Sequence, residues 1–222
     1  MWVSILHHNR YVILILALFV IVSNSMAEGN PERGKQLFAT CVACHGEKGA
    51  GNIQFKAPSI AGQESWYLRT QLMNFRKGVR GTSPLDTSGL TMRPMALTLP
   101  DEQAVEDVIA YIKTFPIVAH QPTLKGDAQH GKALFAVCQT CHGPNAQGNE
   151  SLHAPKLSGL PDWYIVQQLK KFKAGIRGTH PQDQWGQTMR PMALTLQTEQ
   201  DMKDVAAYIL SLSGQAETIS TE

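Results

Sequence analysis

Two short cysteine–histidine motifs hold the residues of this chain that are best suited to chemistry. They are Cys41-Val-Ala-Cys44-His45 and Cys138-Gln-Thr-Cys141-His142, and together they contain all four cysteines of the 222-residue chain. In a C-x-x-C-H motif the two thiols lie on one side of a helical turn, where each adds to one vinyl group of a haem. The histidine that follows lies under the iron as its proximal ligand. The motifs therefore predict two haem c groups, each attached to its two cysteines and coordinated by its histidine.

Three other interpretations compete with haem attachment. A structural zinc site uses two C-x-x-C knuckles, but it leaves the histidine after each second cysteine unexplained. A thioredoxin-like redox pair lies in a βαβ pattern, and the sequence around the motifs has none. The third interpretation is a pair of small disulfides, which an oxidising compartment would permit. Haem attachment accounts for every residue of both motifs.

Length and composition restrict the class of protein. A chain of 222 residues is long enough for one large or two small domains. Its hydrophobic content of 43% and charged content of 17% are ordinary for a soluble globular protein and exclude wholesale disorder. A net charge of +2 gives no reason to expect a nucleic-acid partner.

The N-terminal segment has the layout of a Sec signal peptide. A short lead containing Arg10 precedes an apolar run from Tyr11 to Val22, and Ser25-Met26-Ala27 follows with small residues at −3 and −1. The apolar run is shorter than the roughly 20 residues of a membrane span. The sequence therefore predicts export to the periplasm with cleavage before Glu28, the alternative being an uncleaved anchor on the outer face of the inner membrane.

The chain contains one unit written twice. The two motifs lie 97 positions apart, from 41 to 138, and this offset holds without a gap to the last helix. Met92 to Leu99 is identical to Met189 to Leu196, residue by residue. The repeat predicts two tandem domains. The expected boundaries are a signal peptide at 1–27, a first domain at 28–115, a linker at 116–126, a second domain at 127–213 and a C-terminal tail at 214–222.

Each unit is predicted to be all-α. The first helix begins with Asn30 as N-cap and Pro31 at the first helical position, and its copy begins near Asp127. A middle helix follows from about residue 64 to 77, and a last helix from about 101 to 115. No alternating β-branched run bounded by hairpin turns appears. Between the middle and last helices, M-R-P-M-A is predicted to be a non-helical loop because it contains proline and follows a Gly/Ser/Thr segment.

The sixth iron ligand must come from a residue that occurs in both repeats. Histidine fails this requirement, because His153 corresponds to Lys56 and His180 to Ser83. Methionine meets it twice per repeat, at positions 92 and 95 and again at 189 and 192. Methionine is more often a core residue than a ligand, and the residues alone do not separate the two members of each pair.

The sequence patterns around the candidate ligands resemble those of a known family. The repeated C-x-x-C-H, P-x-x-x-G, W-Y-x-x-x-Q-L and M-x-x-M-A-x-x-L patterns look like those of diheme class I cytochromes c of the cytochrome c4 type, over about residues 28–213. The resemblance implies two tandem cytochrome c-like domains, each a few helices wrapped around a covalently bound haem c. It implies that Met92 and Met189 are the iron ligands, whereas Met95 and Met192 pack in the haem crevice.

The resemblance also assigns supporting roles. Pro58 and Pro155 are expected to accept a hydrogen bond from the proximal imidazole through their carbonyl groups, which fixes the ring. The first and last helices are expected to cross closely at Gly34 and Gly131. Trp66 and Trp163 either shield the haem or pack in the core. The basic side of the middle helix is expected to be mostly solvated, with the alternative that some cations neutralise haem propionates or dock an acidic partner. These cations are Arg69, Arg76, Lys77, Arg80, Lys170, Lys171 and Arg177.

The predicted function is electron transfer. An iron with histidine and methionine in both axial positions has no open site for a substrate, and this ligation raises the reduction potential. The expected partners are redox proteins of the respiratory chain: a quinol-oxidising complex or dehydrogenase as donor, and a terminal oxidase or reductase as acceptor. Two alternatives remain, a diheme peroxidase with a displaceable sixth ligand and an anchored subunit of a respiratory complex.

Overall fold

The computed structural model describes residues 28–213, so the predicted signal peptide and C-terminal tail lie outside the described residues. The helices are α1 (Pro31–His45), α2 (Ser65–Arg76), α3 (Thr87–Leu97), α4 (Glu102–Ile112), α5 (Ala128–Phe135), α6 (Gln139–His142), α7 (Asp162–Lys173), α8 (Gln184–Leu194) and α9 (Glu199–Ser213), with a short 3₁₀ helix at Glu150–Leu152. Within residues 28–213 no strand forms, and β-type pairing is limited to two isolated bridges. The all-α prediction is confirmed.

The two ends of each domain pack against each other through a glycine. In the first domain α1 crosses α4 at Gly34, where a β-carbon would overlap the carbonyl oxygen of Asp107. In the second domain α5 crosses α9 at Gly131, where a β-carbon would overlap the carbonyl oxygen of Asp204. The helix starts follow the predicted caps: the side chains of Asn30 and Asp127 each accept hydrogen bonds from two backbone N–H groups of the first turn.

Each domain has its own apolar core beside this crossing. Phe38 in α1 is 1% exposed and makes edge contacts with Tyr111 and Phe115 of the last helix region, with ring centroids 5.5 and 5.1 Å apart. Phe135 takes the same place in the second domain and lies 5.4 Å from Tyr208. The expected sharing of one helix face by glycine and phenylalanine four residues apart therefore places the first helix on the last one.

The methionine segments differ from the prediction, because they are helical. Met92 to Leu97 belongs to α3, which contains Pro94, and α8 contains Pro191 in the same way. Asp86 caps α3 by accepting a 2.9 Å hydrogen bond from the Gly89 N–H, and this cap starts the helix despite the proline. Proline removes one hydrogen bond, and Pro94 is exposed and lies in the C-terminal half of the helix. The expectation of an irregular loop was therefore wrong.

The second copy of the first helix is interrupted. Where α1 is continuous from Pro31 to His45, the second domain has α5, a turn at residues 136–138 and then α6.

The linker region is held to the second domain by Asp162, whose carboxylate accepts hydrogen bonds from Thr123 and from the Leu124 N–H at 2.6 to 2.8 Å. Among the helices at residues 28–213, none is long and apolar enough to cross a bilayer.

Candidate functional site

The haem-attachment motif of the first domain opens onto an apolar cavity. Cys41, Cys44 and His45 lie in the last turns of α1, and all three line this cavity. The cavity is also lined by residues of α2, α3 and α4, including Phe75 and Met92. The motif and its candidate ligand therefore line the same cavity.

A second cavity repeats the arrangement in the second domain. Cys138 and His142 line it, and Cys141 lies on α6 directly before the histidine. Its other walls come from α7 and α8, including Phe172 and Met189. The duplication in the sequence is thus a duplication of the site.

Both motif histidines are fixed by a backbone carbonyl. His45 Nδ1 lies 2.9 Å from the carbonyl oxygen of Pro58, and His142 Nδ1 lies 2.8 Å from that of Pro155. A carbonyl oxygen only accepts, so each Nδ1–H donates and the lone pair remains on Nε2. Burial lowers the pKa of both imidazoles against the opposing effect of this hydrogen bond. The rings are therefore held neutral, which is the form that binds a metal.

The first cysteine of each motif has a thiol with a raised pKa. Burial raises the pKa of Cys41, and it raises the pKa of Cys138 to about 11. A thioredoxin-like nucleophile needs the opposite shift, because the thiolate is its reactive form. Across the described part of the chain, no three His, Cys, Asp or Glu side chains converge as a metal site would require. Both observations disfavour the redox-pair and zinc interpretations.

The two candidate methionines of each repeat are not equivalent in the second domain. Met92 and Met95 both line the first cavity, whereas Met189 lines the second cavity and Met192 is not part of its wall. A ligand must face the cavity, so the second domain favours Met189 over Met192. By the repeat, the corresponding residue of the first domain is Met92.

An arginine with a buried, unpartnered Nε–H group lines each cavity. Arg80 lines the first cavity and Arg177 the second, and each guanidinium lies 4.6 Å above the ring of its own domain's Phe75 or Phe172. In both arginines the Nε–H is buried and has no protein partner in residues 28–213. A haem propionate would fit there as the acceptor. The apolar walls, paired thiols, neutral imidazole and unpaired donor together fit haem c.

The cavities share a wall at the domain interface. Tyr67, Gln71 and Tyr164 line both of them. The Gln71 side-chain oxygen accepts from Arg80 at 2.7 Å and from Arg177 at 3.0 Å. The two sites are therefore separated by one layer of side chains.

Gln168 completes this network symmetrically. Its side-chain oxygen accepts from Arg177 at 3.0 Å and from Arg80 at 3.1 Å, so each glutamine bridges both arginines. Sequence analysis noted Gln71 and Gln168 as identical repeat positions but gave them no role. A repeated polar pair on an otherwise apolar helix face is the signal that would have found them.

The tryptophans occupy different environments. Trp66 of the first domain lines the cavity of the second domain, beside His153, with ring centroids 5.9 Å apart. His153 in turn stacks on Trp185 at 4.0 Å. Trp163, the repeat of Trp66, is half-buried against Tyr164 and lines neither cavity. The sequence excluded His153 as an iron ligand because the first repeat has Lys56 there, and Trp185 gave no signal because the first repeat has Ser88 there.

The expectation of a mostly solvated basic side is wrong for several residues. Arg177 is 9% exposed and Lys171 is 8% exposed. Arg69 forms a two-pronged ion pair with Glu106, and Arg76 donates to the carbonyl oxygen of Leu99. These cations lie where they have protein partners, so they contribute to the interface and to helix packing more than to a free docking surface.

Comparison with known proteins decides the family. The family model for cytochrome c matches residues 31–116 and again residues 128–213. The chain belongs to the cytochrome c family. As a tandem cytochrome c it carries two haem c groups, attached through the cysteine pairs at 41/44 and 138/141.

Relatives extend the likeness over both domains. The cytochrome is 30% identical to cytochrome c4 of Azotobacter vinelandii over 92% of this chain and 99% of that one. It is also 30% identical to the thiosulfate dehydrogenase electron acceptor of Stutzerimonas stutzeri (strain A1501), over 80% of this chain and 81% of that one. The crystal structure of reduced recombinant cytochrome c4 from Pseudomonas stutzeri matches with a TM-score of 0.63 at 29% identity, covering 82% of this chain and 98% of that one. The resemblance to the cytochrome c4 type is confirmed.

Proposed function

We propose that this chain is a periplasmic carrier of single electrons that receives them from a quinol-oxidising complex or dehydrogenase and passes them to a terminal oxidase or reductase. Bound haem c supplies an iron that gains and loses one electron. The remaining work belongs to the polypeptide, which holds the ligands, excludes water and sets the potential.

The observation that carries the proposal is the matching pair of haem sites, which share lining residues. In each site the motif histidine is fixed by a proline carbonyl, and a methionine lines the same cavity. If histidine and methionine both hold the iron, no position is left for a substrate. Because Tyr67, Gln71 and Tyr164 line both cavities, electrons have a short route from one domain to the other.

Individual side chains have distinct tasks in this proposal. His45 and His142 would hold the iron through Nε2, and Met92 and Met189 would hold it through the thioether sulfur. Met95 and Met192 act as packing residues of the crevices. Arg80 and Arg177 neutralise propionates through their unpaired Nε–H groups. Trp66 excludes water from the second crevice.

The relatives favour a dehydrogenase among the donors. One similar protein is named for accepting electrons from thiosulfate dehydrogenase. This supports a periplasmic donor of that kind. Export follows from the signal-peptide layout of residues 1–27, and N-terminal sequencing of the mature protein tests it. If the mature chain begins at Glu28, the protein is a free periplasmic carrier. If the mature chain still contains residues 11–22, it is a membrane-anchored carrier.

Ligand binding separates a carrier from a peroxidase. The fully reduced protein is mixed with carbon monoxide, and the oxidised protein with hydrogen peroxide, while the visible spectrum is followed. A carrier with two filled iron centres shows no rapid change with either reagent. Rapid, tight binding of carbon monoxide at one haem, with turnover of peroxide, would show an open site and replace the carrier proposal by the enzyme.

A further inference from the structure

One buried ion pair joins the domains and has no copy in the repeat. Lys171 in α7 of the second domain donates to the Asp86 carboxylate of the first domain at 2.5 Å and to Ser88 Oγ at 2.6 Å. The side chains of Lys171 and Asp86 are 10% and 2% exposed. A pair this deeply buried is screened little by water or salt.

The repeat shows that the pair is one-sided. The residue of the first domain that corresponds to Lys171 is Asn74, which carries no charge. Asp183 corresponds to Asp86, and it caps α8 by accepting from the Gly186 N–H at 3.1 Å. Asp183 has no ion pair among residues 28–213. The two cap carboxylates therefore perform the same local task, but a lysine ammonium neutralises the first alone.

Asp86 stands next to the first haem site. It begins α3, the helix that carries Met92, and Ser88 and Gly89 of the same turn line the first cavity. The ammonium group of Lys171 is one hydrogen bond away from this wall. A change in the charge of Lys171 or Asp86 therefore acts on the first site with little screening. Lys171 itself lines neither cavity, so its substitution does not remove a residue of the haem-binding walls.

We propose that Lys171 raises the reduction potential of the first haem from the other domain. It neutralises Asp86, so the potential is higher than it would be with an uncompensated Asp86 carboxylate. The proposal rests on the proposed electron-carrier function. An unpaired negative charge beside a haem favours the ferric state, so loss of the ammonium lowers the midpoint potential. The second haem lacks this device, and the pair thus contributes to a difference in potential between two sites that have the same ligands.

Opposite charge changes give the test its sign. In an optical redox titration at neutral pH, Lys171→Met is expected to lower the midpoint of the first haem more than that of the second. Asp86→Asn keeps a side-chain acceptor for the Gly89 N–H and leaves the ammonium uncompensated, so the first midpoint is expected to rise. Combining the two substitutions removes both charges and is expected to return the first midpoint towards the unaltered value.

Control variants separate charge from general loosening of the interface. Lys170→Met removes the neighbouring cation, which is exposed and pairs with Glu199 inside its own domain, and it is expected to change neither midpoint. Glu64→Ala removes a 3.1 Å hydrogen bond from the Lys156 N–H across the interface without involving α3, and it is expected to leave the first midpoint in place. Lys171→Arg keeps the charge and is expected to keep the first midpoint.

The outcomes that overturn the proposal are specific. Equal shifts of both haems, a shift with Glu64→Ala of the same size, or failure of the double variant to restore the first midpoint would each show an interface clamp without control of potential. If Lys171→Met does not assemble with haem, an unchanged first midpoint in Asp86→Asn has the same meaning. The proposed function is judged separately, by the long-wavelength Met–Fe(III) band and the carbon monoxide test on the unaltered protein.

Discussion

The two domains have the same contacts at the motif histidine and differ in the side chains that surround the haem site. His45 bonds to the Pro58 carbonyl at 2.9 Å and His142 to the Pro155 carbonyl at 2.8 Å, so the proximal geometry is the same. At the next layer the residues change. Lys56 of the first domain is replaced by His153, which stacks on Trp185 beside the second cavity.

The helix crossings differ in the same way. Asp107 of the first domain is paired with Arg33 at 2.7 Å, and Asp204 of the second with His130 at 2.8 Å. The backbone positions are equivalent, but one cation is permanent and the other titrates near neutral pH. The duplicated unit therefore keeps its haem-binding frame, while the side chains that pack around this frame differ between the two halves.

The largest expected effect comes from removing one haem at a time. Replacing Cys41 and Cys44 by alanine, or Cys138 and Cys141, is expected to halve the covalent haem content and to abolish the cooperative melting of the altered domain. A domain this small buries little apolar surface on its own, and its core then encloses an empty cavity. Haem absorbance per chain and circular dichroism measure the two effects. A variant with native helical content and a full cooperative melt would contradict this reasoning.

A smaller, equal effect is expected at the two helix crossings. Gly34→Ala and Gly131→Ala each force a β-carbon into the carbonyl oxygen of the facing helix, and overpacking of this kind costs about 1–3 kcal/mol. The free energy of unfolding from a denaturant titration of the haem-loaded protein measures it.

The matched controls for the glycine variants are Lys35→Ala and Lys132→Ala. Both lysines lie next to the glycines and are exposed, so their loss is expected to change the free energy of unfolding by less than about 0.5 kcal/mol. If the glycine variants were as stable as these controls, close helix crossing would not be the reason for glycine at these positions.

The smallest expected effect distinguishes the domains by pH. The hydrogen bond to Asp204 raises the pKa of His130 above its ordinary value. The stabilisation is therefore fully present below the ordinary histidine pKa of about 6.5 and is lost as the pH rises through the higher folded pKa. Amide hydrogen exchange is expected to show α5 and α9 loosening across this range while α1 and α4 do not.

Exchanging the two cations sharpens this pH prediction. His130→Arg is expected to remove the pH dependence from the second domain, and Arg33→His to introduce it in the first. Because His130 is exposed, the expected change is a gradual decrease in amide protection, relative to the intrinsic exchange rate at each pH, and not a loss of folding. Equal pH dependence in both domains of the unaltered protein would count against the assignment.

Much of the fold and of the site is readable from the sequence. The cysteine–histidine motifs carry their own spacing rule, and a repeat of 97 positions defines two domains. The caps at Asn30 and Asp127 mark helix starts because the side chain and the first-turn N–H groups are local to each other. The motifs and the caps depend on neighbours within a few residues, and the repeat is visible by comparing the two halves of the sequence.

The features that were missed depend on tertiary contacts. Proline in M-R-P-M-A suggested a loop, but the cap from Asp86 and the exposed, C-terminal place of Pro94 allow a helix. Lys170 and Lys171 are adjacent and chemically identical, yet one is exposed and the other is buried against the opposite domain. Which of them faces the partner domain follows from domain packing, and no local pattern encodes it.

Ligation of both irons by a methionine sulfur is the central claim, and single substitutions followed by an optical redox titration test it most directly. Met92→Leu and Met189→Leu are each expected to remove the part of the weak long-wavelength ferric band that belongs to their own haem and to lower that haem's midpoint potential. Met95→Leu and Met192→Leu, the matched controls, are expected to leave band and midpoints in place. If Met92→Leu and Met189→Leu leave the spectrum and both midpoints unchanged, the account is contradicted.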